Sequence, residues 1–227
     1  KKIFIACDSS KVSQIKKIIK STKNIKIKVG YKFGLEFFCS EYGRKFILKL
    51  KRKEIFLDLK LNDIPNTCVS AIKALRDLKN ISYLTVHISG GVEMLKAVKK
   101  EAKKTNKKLK ILGVSVLTSF SNSSIKKIGF SKSVKDIVKI QAKLAKSAKL
   151  DGIVCSGHEA KLLKKICNKM EIFTPGIRLR GDKAGDQKRI MSPKEAFQNG
   201  ATSIVIGRSV TKGNIKNNIQ RLIKSLD

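Results

Sequence analysis

Acidic residues are scarce in this chain: 17 Asp and Glu stand against 51 Lys and Arg in 227 residues, a formal net charge of +34. Also missing is any apolar stretch near the roughly 20 residues that a membrane-spanning helix requires, so a soluble protein with no membrane partner is expected. Behind Lys1 and Lys2 the apolar run is broken at once by Cys7, Asp8, Ser9 and Ser10. That is too short for the core of a secretion signal, and the expected compartment is the cytoplasm. The five cysteines, Cys7, Cys39, Cys68, Cys155 and Cys167, form no C-x-x-C pair and no Cys/His cluster with metal-ligand spacing. They read as reduced, mostly buried small hydrophobes. Aromatic residues make up only 6% of the chain, and no nucleic-acid-binding motif accompanies the positive charge. Only eight of the 51 basic residues are arginine, and the lysines are spread over every segment instead of gathering in one patch or tail. Dispersed lysine with many Ile and Asn fits an AT-rich coding bias acting on solvated positions, so nucleic acid is not expected as a partner. The field of these lysines still attracts an anionic substrate.

What the chain does have is a regular alternation. Apolar, β-branched runs recur at Ile3–Ala6, Ile25–Val29, Ile55–Leu59, Tyr83–Ile88, Ile111–Leu117, Gly152–Cys155, Ile172–Thr174 and Ser203–Ile206. Between them lie segments with helical spacing of apolar residues, such as Val12-Ile15-Ile18-Ile19 and Ile215-Ile219-Leu222-Ile223. Near-continuous apolar strands separated by amphipathic helices imply a parallel sheet covered by helices. Eight such units, at about 28 residues each, fit a closed (β/α)₈ TIM barrel, an α/β fold, more simply than an open doubly wound sheet. No linker or compositional break divides the chain, so residues 1–227 are expected to form one domain. The longest non-repetitive stretch, Gly176–Arg189, follows the seventh run, and a loop of that length in a compact domain is usually functional.

Barrel enzymes place their chemistry where strands end and the following loops begin. At or just past the end of each run stand Asp8, Lys28, Asp58 with Lys60, His87, Thr118, Ser156, Thr174 to Arg178, and Gly207 with Arg208. A charged or hydrogen-bonding group at every position converges on one rim. The third run carries the most specific signal, Asp58-Leu59-Lys60-Leu61-Asn62-Asp63-Ile64-Pro65-Asn66-Thr67. Two apart on a strand, Asp58 and Lys60 point to the same face, about 6.5 to 7 Å apart at Cα, while Leu59 faces the helices. They suit an inward ion pair or a reactive pair. Pro65 suits the first turn of the next helix, and Asp63 fits a helix-capping acid as well as a functional one. His87 reads as a hydrogen-bonded wall residue, His158 as a solvated first-turn residue, and Arg180 and Lys183 as loop charges.

The segment Asp58–Thr67 resembles the signature of orotidine 5'-phosphate decarboxylases, and that family's other motifs occur in order. They are Asp8 after the first strand, KVG at Lys28–Gly30, VLTS at Val116–Ser119, DGIVCS at Asp151–Ser156, TPGIR at Thr174–Arg178, GDQKR at Gly185–Arg189 and IGRSVT at Ile206–Thr211. The resemblance runs from end to end. It implies loss of carbon dioxide from C6 of orotidine 5'-monophosphate to give uridine 5'-monophosphate, with no cofactor and no metal.

The same resemblance implies roles. Lys60 opposes the carbanion at C6 and protonates it, Asp58 faces the substrate carboxylate, and Lys28 and Asp63 complete an alternating Lys-Asp-Lys-Asp array. Asp63 and Thr67 are expected to enter the neighbouring site of a homodimer. Thr118 contacts the pyrimidine, Asp8 with Lys28 the ribose, and Arg208, Arg178 and Gln187 the phosphate, with Pro175 and Gly207 also lining the substrate. An independent reason places phosphate there: barrels often hold it with the loops after strands seven and eight.

Two rival readings make different demands. Magnesium-dependent sugar-phosphate enzymes of the same superfamily share the D-x-K-x-x-D strand, but carry a carboxylate on the second strand where the expected lysine would repel the cation. A non-catalytic nucleic-acid-binding barrel, suggested only by the charge, would tolerate changes at Lys60 and bind polynucleotides in a salt-sensitive way.

Overall fold

The strands are β1 (Lys2–Ala6), β2 (Val29–Gly34), β3 (Ile55–Leu61), β4 (Ile81–His87), β5 (Lys110–Val114), β6 (Gly152–Val154), β7 (Glu171–Ile177) and β8 (Ser203–Ile206). In the computed structural model, which describes residues 1–182 and 189–226, they run parallel and close in chain order, with β8 pairing back to β1. The expected barrel is therefore the observed one.

The helices are α1 (Val12–Ser21), α2 (Leu35–Phe38), α3 (Gly43–Lys49), α4 (Pro65–Ala74), α5 (Gly91–Thr105), α6 (Asn122–Lys127), α7 (Val134–Ser147), α8 (Gly157–Ile166), α9 (Pro193–Gln198), α10 (Arg208–Thr211) and α11 (Ile215–Lys224). Their starts follow local chemistry. Pro65 opens α4, where a missing N–H costs nothing. Ser156 accepts from the His158 amide at the head of α8, and Ser192 forms a reciprocal capping box with Glu195 at α9. Among the described residues no helix is long and apolar enough to cross a membrane.

Because side chains alternate across a strand, the barrel has two cores. The outer one packs strand residues such as Ile5, Phe33, Leu57, Leu84 and Ile111 against the helices. The inner one holds Phe4, Ala6, Phe56, Tyr83, Leu112, Val114, Val154, Phe173 and Val205. Four of its aromatic rings interlock: Phe4 lies 5.7 Å from Phe56 and 5.6 Å from Tyr83, edge to face, and Phe173 lies 4.9 Å from Tyr83. Gly30 makes room for this layer, since a Cβ there would come within 2.5 Å of the Phe4 ring. At the N-terminal end of the barrel the Tyr83 hydroxyl accepts from Lys2 Nζ (2.7 Å) and donates to Glu171 Oε2 (3.0 Å). Lys2 also pairs with Glu54, and Lys110 with Glu171, so that end is closed by satisfied polar groups. Above the aromatic layer the inward residues Ala6, Val114, Val154 and Val205 are small, which leaves space at the opposite mouth.

One strand departs furthest from expectation. The second begins at Val29, where the apolar run Ile25–Val29 was expected to end. Lys28 consequently precedes the strand and is exposed, four residues short of the C-terminal mouth, about 13 Å at the rise of a strand. The lysine that β2 delivers to the mouth is Lys32. Of the long seventh loop, Lys183 and Gln187 lie outside the described residues. Cys7, Cys68, Cys155 and Cys167 are buried free thiols, whereas Cys39 is exposed.

Candidate active site

The C-terminal mouth encloses a cavity of about 350 Å³, within the size range of small-molecule sites. Asp8, Asp58, Lys60, Thr118, Pro175, Arg178, Gly207 and Arg208 all line it, as the sequence led one to expect. Phe56, Ala6, Val114, Val154 and Val205 form its apolar floor and walls.

The charged side is a chain of alternating sign. Lys60 Nζ lies 2.9 Å from Asp58 Oδ2, Lys32 Nζ lies 3.5 Å from the same oxygen, and Lys32 Nζ donates to Asp8 Oδ1 at 2.9 Å. Asp58 and Lys32 are largely shielded from solvent, with side chains 13% and 10% exposed, while Asp8 sits on the rim at 53%. Burial opposes both inner charges, but the neighbours of opposite sign prevail. Burial pushes the Asp58 carboxyl up, yet Lys32 and Lys60 hold it below the usual carboxylate value; burial likewise pushes Lys32 down, yet Asp58 and Asp8 hold it above the usual ammonium value. Both are thus charged at neutral pH.

Lys60 reaches the array from an irregular backbone. Leu57 pairs with Leu84 and Leu61 with Val86, so β3 spends four steps where β4 spends two. Within this bulge Lys60 has φ +51°, a left-handed conformation that non-glycine residues rarely adopt. Such strain clusters at functional sites. Next along the rim, burial and the positive charge of Lys60 hold the His87 imidazole below its usual value, so it is neutral at neutral pH.

The opposite side carries the arginines. Arg178 is buried at 8% and donates from Nη1 to the Ile177 carbonyl at 2.9 Å. Arg208 opens α10 and stands exposed on the rim. Both also border an adjoining cleft with Lys212 and Arg221, which concentrates positive charge on this side. Arg189 pairs with Glu159 of α8 and donates to the Leu117 carbonyl at 3.1 Å, holding the chain just before Thr118.

Asp63 and Thr67 do not join this cavity. Both are exposed; Asp63 Oδ1 accepts from the amide of Ile64 at 2.7 Å, and Ile64, not Asp63, holds the N-cap position of α4, with no side-chain cap bond. Lys28 is likewise outside, and its place in the array is taken by Lys32. The missed signal was a repeat: Lys28-Val29-Gly30 and Lys32-Phe33-Gly34 share one spacing, and only the second ends at the mouth. Gly34 leaves the pair room, because a Cβ would press to 3.3 Å on both Asp8 Oδ1 and Lys32 Nζ and push them from their present positions.

A closed parallel barrel with an alternating charge array on one side of its mouth and arginines on the other is a barrel enzyme fitted to a small anionic substrate. More particularly, the chain belongs to the orotidine 5'-phosphate decarboxylase / HUMPS family, whose model matches residues 1–220. An orotidine 5'-phosphate decarboxylase of Wolbachia sp. subsp. Brugia malayi is 43% identical over 229 residues, covering 99% of this chain and 98% of that protein. The protein of the same name from Psychromonas ingrahamii is 43% identical over 218 residues, covering 93% and 90%. The crystal structure of the Lactobacillus acidophilus orotidine 5'-phosphate decarboxylase is 31% identical and superposes with a TM-score of 0.84, covering 100% of this chain and 99% of that one.

Proposed function

We propose that this protein converts orotidine 5'-monophosphate to uridine 5'-monophosphate and carbon dioxide, the last step of de novo UMP synthesis, with Lys60 as the proton donor to C6. The observation that carries the chemistry is the placement of the Lys60 ammonium, 2.9 Å from Asp58 and on the wall of the cavity. As the C6 carboxylate departs, its bonding electron pair stays on C6 in the ring plane, where conjugation cannot spread it. A fixed ammonium opposes that charge in a partly desolvated site and then transfers a proton to C6, leaving a neutral amine that water reprotonates. Asp58 faces the substrate carboxylate and Lys32 keeps Asp58 ionised. Asp8 with Lys32 holds the ribose, Thr118 and Pro175 border the pyrimidine, and Arg178, Arg208, Gly207 and Gln187 take the phosphate. Binding energy gained at the phosphate, remote from C6, is then available to organise the site.

The enzyme is read as a cytoplasmic homodimer in which Asp63 and Thr67 complete the partner's array. Their exposure supports this, as do Ile64 and Leu35, large apolar side chains 66% and 55% exposed just past the ends of β3 and β2. A magnesium-dependent sugar-phosphate reaction fits the mouth poorly, because the Lys32 ammonium already sits between Asp8 and Asp58. The test is a spectroscopic assay of orotidine monophosphate loss, with and without a chelator. Turnover should be equal in both, and Lys60→Ala should lower it about a thousandfold or more while leaving the fold intact. A folded Lys60→Ala protein that keeps a tenth of the rate would remove Lys60 from the reaction.

A further inference from the structure

Thr85 is fully buried at the middle of β4 and faces the bulge of β3. Its hydroxyl makes two hydrogen bonds of opposite sense: it accepts the backbone N–H of Lys60 at 2.9 Å and donates to Asp58 Oδ1 at 3.0 Å. A hydroxyl has one proton, so donation to the carboxylate leaves its lone pairs for the amide. The other Asp58 oxygen, Oδ2, is the one that receives Lys60 at 2.9 Å and Lys32 at 3.5 Å. One side chain therefore holds the strained residue by its backbone and the carboxylate by its idle oxygen. Thr85 itself is shut off from solvent, so both bonds are made by a fully buried hydroxyl.

We infer that Thr85 is a positioning residue that aims the Lys60 ammonium: it fixes the φ +51° backbone of Lys60 and the rotation of the Asp58 carboxylate at once. The inference rests on the decarboxylase reading for its kinetic consequence, but the hydrogen bonds stand without it. Asp58 is faced by Lys32 of β2, Lys60 of its own strand, Thr85 and His87 of β4, with Asp8, two residues past β1, one contact further along the chain of charges. Lys32, Lys60 and Asp8 carry charge, whereas Thr85 is a neutral donor bonded directly to Asp58, and its loss changes no charge.

Thr85→Val is nearly isosteric and removes the hydroxyl alone; Thr85→Ser keeps it. With Thr85→Val, kcat should fall about ten- to a hundredfold, the range for a buried hydrogen bond to a charged group, while affinity for uridine monophosphate changes less than about threefold. The acid limb of the kcat profile should move to higher pH, because Asp58 loses a donor to its ionised form. Thr85→Ser should restore kcat to within about threefold. In the unliganded protein, hydrogen exchange at the Lys60 amide should quicken about tenfold or more in Thr85→Val and stay slow in Thr85→Ser. Wild-type kcat in Thr85→Val, or a Thr85→Ser enzyme as slow as Thr85→Val, overturns the assignment. Unchanged exchange at Lys60 also overturns it, and that readout decides the matter even for a protein found not to decarboxylate orotidine monophosphate.

Discussion

Arg208 and Lys60 stand on the same cavity yet face different demands. In the proposed reaction Lys60 acts at an atom whose charge changes, so its contribution is expected in the transition state. Arg208 is assigned to a phosphate that is the same in substrate, transition state and product. Interactions of that kind bind all three alike and show in KM and product inhibition. Arg208→Ala should therefore weaken substrate and uridine monophosphate in parallel, by about ten- to a hundredfold for a lost charge-assisted contact. Inhibition constants for the product provide the check, and an unchanged value would take Arg208 out of the phosphate site. Asp58 adds a pH consequence with a definite sign. Its folded-state value lies below the usual carboxylate range, so what its charge contributes is present at neutral pH and is lost only as pH falls through that depressed value.

At the scale of the element, β2 shows why local pattern and site can disagree. Ile25, Ile27 and Val29 alternate with lysines, which is the pattern of a half-buried strand, whereas Gly30-Tyr31-Lys32-Phe33-Gly34 has a glycine at each end and a charge on its inward face. Each departure has a cause in the barrel: Gly30 admits the Phe4 ring, Lys32 meets Asp8 and Asp58, and Gly34 leaves room for that meeting. Function replaced the residues by which a strand is recognised. Similarly, β7 runs on through Pro175 and Gly176 to Ile177, past the expected end at Thr174, with a register shift against β8. Where no such demand exists, expectation and structure agree closely, as for β8 at Ser203–Ile206 and β1, which gains only Lys2. A paired test follows. Lys32→Ala should lower kcat/KM by several hundredfold or more, about what removing one preorganised electrostatic group costs, while Lys28→Ala should stay within about twofold of wild type, as exposed residues away from a site do. Equal losses in the two variants, or a loss confined to Lys28→Ala, would return the array lysine to Lys28.

For the whole molecule, alternation of strand and helix was enough to read the closed barrel, but a single chain's pattern carries no record of a second copy. Asp63 illustrates the gap. In the fold its carboxylate faces outward, bonded to the Ile64 amide, and Thr67 is exposed in the first turn of α4. Both lie immediately beyond the strand that bears Asp58 and Lys60, so a two-fold partner seated over this rim would bring its own Asp63 toward the array and receive the other in return. A site shared in this way can be rebuilt from two defective chains. Lys60→Ala and Asp63→Ala proteins, each nearly inactive alone, should regain activity when mixed in equal amounts under conditions of subunit exchange. Random exchange makes about half the dimers hybrid, and each hybrid has one site with both wild-type residues and one with neither, so recovery should approach about a quarter of wild-type activity. Hybrid dimers demonstrated by mass but without recovered turnover would mean that Asp63 serves its own barrel, and that the outward carboxylate must swing inward within one chain.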